Sequence, residues 1–244
     1  MSRKILLILF LLLSSSNCID FDALIKKLKG YLQNNVDNDL FLNFMELLRK
    51  SFKKTFPEHL AKNKKAFPNH SKTIKLNKGF IEDQGNYKDM VYGLMKFSGN
   101  GCELISIYNA LYELTKQEDI DLPGIIEMHE KDGMVLQGLF GTSMKAIEEY
   151  FMKNGFKTRS SSKKENYENI AKESDVLILT IYNNIDDITD QVHTVCITKK
   201  AGKYYVHNNG VNSANIAYDS ITDVLVKINH GHAKDIFLIG INKN

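Results

Sequence analysis

Apolar residues recur at helical spacing early in the chain and give way to extended runs later. Phe21, Leu24, Ile25 and Leu28, and then Phe41, Phe44, Met45, Leu48 and Phe52, predict two amphipathic helices across residues 21–55, with lysines on the opposite faces. Pro57 and Pro68, with Asn63, Asn69 and His70 nearby, predict an irregular connection to about residue 76. Leu104, Ile105, Ile107, Tyr108, Leu111 and Leu114 mark a largely buried helix that begins at Cys102, with Asn100 as its N-cap. Pro123 opens a short helix through Ile125, Ile126 and Met128. A further helix carries Met144, Ile147, Tyr150 and Phe151, capped by Thr142 and stopped by Gly155. A polar helix follows from Tyr167 to Glu173.

Strand signals then take over: Asp175 to Tyr182, His193 to Thr198, Lys203 to Asn208, and Ile236 to Ile241. Ala201-Gly202 is placed to turn the middle two into a hairpin. Helices first and an antiparallel sheet afterwards predict an α+β architecture.

Upstream of all this, Arg3-Lys4, the apolar run Ile5–Leu13 and Ser14-Ser15-Ser16-Asn17-Cys18 form the three parts of a secretory signal peptide. Its apolar run is too short to anchor in a bilayer. Residues 1–18 are therefore expected to direct export, with cleavage after Ser16 or Cys18; a lipid anchor on Cys18 is the alternative. Residues 19–76 read as a helical N-terminal extension, and 77–244 as the main domain. The extension is either a pro-segment or surface-binding arm, or a pair of helices docked on the main domain.

The composition, 43% hydrophobic and 25% charged, is that of a globular protein. A net charge of +3 is too small to argue for a nucleic-acid partner. Three cysteines, one of them in the leader, make no disulfide framework, and no Cys or His pairing has zinc spacing. His230 and His232 lack a third ligand nearby, so no metal and no cofactor are expected.

The chemistry-bearing stretch is Ser98-Gly99-Asn100-Gly101-Cys102-Glu103. A thiol in the first turn of a helix meets unpaired N–H groups and the positive end of the dipole, which favour thiolate. His193 opens the second of the strong strands, after the acidic loop 186–190, and Asn208 closes the hairpin strand beside it. A hairpin in register brings these two together, so that the Asn208 amide oxygen can orient the imidazole of a base serving Cys102. Cys196, three residues beyond His193, points to the other face and reads as core; Glu103 reads as a helix-dipole partner, with a substrate contact as the alternative.

Asn100-Gly-Cys-Glu-Leu-Ile-Ser-Ile-Tyr-Asn-Ala-Leu111, Phe140-Gly-Thr-Ser143, the Asn154-Gly-Phe156 helix end, His193-Thr-Val-Cys-Ile and Tyr205-Val-His-Asn208 together resemble the papain-like cysteine peptidases, nearest to the bacteriocin-leader-processing type and its relatives. The resemblance covers about residues 90–244. It implies a nucleophile helix packed on an antiparallel sheet, with Cys102 as nucleophile, His193 as general base and Asn208 as orienting residue. Lys96 stands where the family carries its oxyanion glutamine, six residues before the cysteine, and Asn208 stands where the bacteriocin-processing members carry Asp. Asn100 and the Cys102 main-chain N–H are the candidate oxyanion donors in its place. The implied protein is a secreted or cell-surface thiol hydrolase acting on peptide or protein substrates, touching membrane only through its leader or lipid anchor. The rivals are an acyl or peptidyl transferase with the same triad, and a catalytically silent papain-like binding module.

Overall fold

A computed structural model describes residues 38–183, 192–210, 213–228 and 234–244. The leader, the helix expected from Phe21, the acidic loop 186–190 and the pair His230/His232 lie outside the described residues. Among the described residues no helix is long and apolar enough to cross a membrane.

The architecture is α+β, with helices packed against a five-stranded antiparallel sheet. Helices α1 (Asn38–Ser51), α2 (His59–Ala66) and α3 (Ser71–Leu76) come first. A two-residue β-pair follows, β1 (Val91–Tyr92) with β2 (Met95–Lys96). The short α4 (Phe97–Asn100) then leads into α5 (Cys102–Thr115), and α6 (Leu122–Asp132) and α7 (Met144–Lys153) complete the helical layer. The sheet comprises β3 (Lys157–Ser161), β4 (Val176–Tyr182), β5 (Val192–Lys200), β6 (Lys203–His207) and β7 (Lys234–Asn242), in the order β3-β7-β4-β5-β6. Helices α8 (Tyr167–Glu173) and α9 (Ile221–Ile228) belong to its second face.

Alternation along the strands sorts two cores. Val176, Ile178 and Tyr182 of β4 and Cys196 of β5 join the cluster containing Leu104, Ile105 and Ile107 of α5. Leu177, Leu179, Ile181, Val195 and Ile197 face Tyr167, Ile170, Val224 and Leu225. The sheet is thus apolar on both sides, which is why all seven residues of β4 are buried. The Ala201-Gly202 hairpin forms in the expected register, with Lys200 opposite Lys203 and Cys196 opposite His207.

Three local expectations are corrected. The stretch from Pro57 to about residue 76 is mostly helical. Pro68 sits in the first turn of a 3₁₀ segment, where a missing N–H costs nothing, while Asn63, Ala66 and Ile74 point inward. Thr142 does not cap α7. Its hydroxyl pairs with the Tyr92 hydroxyl at 2.8 Å, and Ser143 takes the cap position, its own hydroxyl turned to Glu46. Nor does Asn100 cap α5: Gly101 occupies that position, and a Cβ there would meet the Phe97 carbonyl at 2.6 Å.

Phe41, Met45 and Leu48 of α1 and Ile74 of α3 lie in the same cluster as Leu104 and Ile107. Arg49, buried in that helix, is forked onto Glu149 at 3.2 Å, reaches the Asp132 carbonyl and pairs with Glu46.

Candidate active site

Cys102 is the first residue of α5, and it meets β5 side-on. The Ser106 hydroxyl, one turn along, donates to the Thr194 carbonyl at 3.0 Å, and the Thr194 main-chain amide faces the Cys102 sulfur. Thr194 follows His193 in the chain, so the thiol lies against the start of β5.

His193 Nε2 lies 2.8 Å from the main-chain carbonyl oxygen of Asn208. A carbonyl only accepts, so Nε2 carries the proton and Nδ1 is the basic nitrogen. The residue pair is the one expected, but the contact differs: the acceptor is the backbone of Asn208, not its amide oxygen. Asn208 has φ +63°, a left-handed conformation that asparagine tolerates better than most residues and that turns its carbonyl toward the ring. Its side chain is occupied elsewhere. Oδ1 accepts from the Gln84 main-chain N–H at 3.0 Å, and Nδ2 donates to Gln84 Oε1 at 3.2 Å.

Gln84 was not singled out in the sequence. Its Nε2 donates to the Ser98 carbonyl at 3.1 Å, so one side chain links α4, just ahead of Cys102, to the end of the hairpin. Glu82 adds to the same strap. It accepts from the Asn208 main-chain N–H at 3.1 Å and pairs with His207 at 2.6 Å. His207 also bonds Thr198 and stacks on Phe80, so both of its ring nitrogens are satisfied within a structural cluster. Beside this cluster opens a cavity of about 910 Å³, lined in part by Phe80, Glu113, Lys116 and Tyr205. Only local spacing could have flagged Gln84, and its partner Asn208 is more than a hundred residues away.

The electrostatics overturn one expectation. Instead of being poised as thiolate, the Cys102 thiol is raised well above its usual range, by burial first and then by Glu103. The S–H donates to Glu103 Oε2 at 3.3 Å. Glu103 is 1% exposed, and burial raises its carboxyl to about 7. It is therefore not a solvated dipole partner but a buried neighbour of the thiol. Burial also lowers His193, against the opposing effect of its bond to Asn208. The resting pair is a neutral thiol and a neutral imidazole, and among the described residues no hydrogen bond joins them.

Asn100 is buried, and one of its amide N–H groups is given to the Gly138 carbonyl. Lys96 is exposed at the end of β2. Cys196 is fully buried opposite Ile178. Among the described residues no group of three or more His, Cys, Asp or Glu side chains could hold a metal ion.

The chain matches no protein-family model, no curated protein and no solved structure.

Proposed function

We propose that the protein is an exported thiol hydrolase of papain-like type that cleaves peptide or amide bonds with Cys102 as nucleophile. The observation that carries this reading is the bond from His193 Nε2–H to the Asn208 carbonyl. It fixes the ring's tautomer with Nδ1 unprotonated, one residue from the Thr194 amide that faces the thiol.

In the reaction, His193 Nδ1 takes the thiol proton as sulfur attacks the scissile carbonyl, and the imidazolium then protonates the leaving amine. Water, deprotonated by the same nitrogen, hydrolyses the thioester. The main-chain N–H of Cys102 at the helix start, with the second amide N–H of Asn100, would face the developing oxyanion. Export rests on the leader-like residues 1–18.

A silent binding module is the second reading, favoured by the protonated thiol bonded to Glu103. The two separate on a fluorogenic peptide library. A hydrolase loses at least about 10³-fold in turnover in Cys102→Ala and in His193→Ala. Binding of the same peptides with no turnover in the unsubstituted protein would establish the module instead.

A further inference from the structure

Glu103 has no part in the hydrolytic steps above, yet it is the side chain bonded to the nucleophile. Its surroundings are unusual for a carboxylate. Oε2 accepts from the Cys102 thiol, and Oε1 lies against Gly141, whose φ of +61° and missing Cβ make room for it. The Thr142 and Glu103 main-chain amides favour its ionised form. The titratable groups facing it are Cys102 itself and the fully buried Tyr92, with Glu130 acting on Tyr92 from further along; all are neutral or negative. Among the described residues no cation contributes to its ionisation.

Resting on the thiol-hydrolase reading, we propose that Glu103 is a positioning residue that keeps Cys102 as a hydrogen-bonded thiol and holds it back from ionising for as long as the S–H bond to the carboxylate is intact. Two negative charges in direct contact inside a protein cannot both persist. Whichever group ionises first holds the other protonated, and of this pair it is Glu103. Once the S–H bond to Oε2 is broken, the proton is free to pass to His193 in the proposed hydrolysis. The proton moves from Sγ to Nδ1, giving thiolate and imidazolium with no change in total charge. The arrangement keeps the thiol resistant to oxidants and stray electrophiles while that bond holds, because thiolate is the reactive form.

The test is the pH dependence of iodoacetamide labelling at Cys102, located by peptide mapping on the full secreted chain. Glu103→Gln keeps the acceptor oxygen and removes the charge. The apparent thiol pKa is expected to fall by at least about one unit in this variant, raising labelling near neutral pH by about tenfold. Glu103→Ala should shift it in the same direction, and circular dichroism identifies any variant that fails to fold. An unchanged profile in both folded variants overturns the proposal, as does slower labelling, which would make Glu103 a base. A thiol unreactive in every variant at every pH overturns this inference and the hydrolase reading together. Faster labelling in Glu103→Gln with no hydrolysis of any peptide would leave the positioning role standing and remove the hydrolase. Hydrolysis with an unchanged labelling profile would do the reverse.

Discussion

Asn208 shows how a side chain and its backbone divide one task. The carbonyl orients His193, while the amide is held by Gln84. Asn208→Gly keeps the carbonyl and relieves the left-handed φ, so turnover should fall less than about tenfold. Asn208→Ala adds a backbone cost of about 1–2 kcal/mol at this φ and should lose more in both melting temperature and turnover. Equal losses in the two variants would mean that the amide, not the backbone, serves the histidine. Residue types and chain order pointed to the His193–Asn208 pairing, which the structure shows. Their contacts were not legible, because a strand-end asparagine offers two oxygens and only the folded φ selects between them. Glu103 read as an ordinary first-turn acid because nothing local tells that Gly141 and Thr142 close over it.

At the scale of elements, two buried asparagines act as substitute strand neighbours. Asn109 of α5 donates to the Ile81 carbonyl and accepts from its N–H, and Asn63 of α2 does the same with Val91. Each pins a non-helical segment to a helix by satisfying both main-chain groups of one residue. Asn109→Ala would leave a buried N–H and C=O without partners, at a cost of about 2–4 kcal/mol read from chemical denaturation. The same variant should weaken the proposed activity, since Ile81 begins the strap that carries Glu82 and Gln84 to the hairpin. The α5 helix and the β5–β6 hairpin were legible because their apolar periods are long and unbroken. Helices α2 and α3 were hidden by proline and asparagine, whose roles depend on position within a turn. The order of strands was not legible at all, since β3 and β7 pair across nearly eighty residues.

For the molecule as a whole, two buried groups pull its stability in opposite directions with pH. His129, fully buried on α6, has its pKa lowered to about 4, so the stability it supports is lost as pH falls from about 6.5 toward 4. Glu103, raised from 4.5 to about 7, costs stability as pH rises through that window. Each shift corresponds to roughly 3 kcal/mol, so between about pH 4.5 and 6.5 they largely offset one another. Glu103→Gln removes one arm. Its stability should exceed that of the unsubstituted protein at pH 8 and decline more steeply on acidification, as followed by urea denaturation. Removing residues up to Lys75 should give aggregated protein, because Phe41, Met45 and Leu48 would leave an apolar face of the common core uncovered. Strand β7 lies between β3 and β4, yet the ribosome makes it after both. Until β7 emerges, β4 has a bare edge and β3 has no partner in the sheet. A chain that is held unfolded until it is complete, as the proposed export through a membrane channel would require, avoids exposing that edge to other nascent copies.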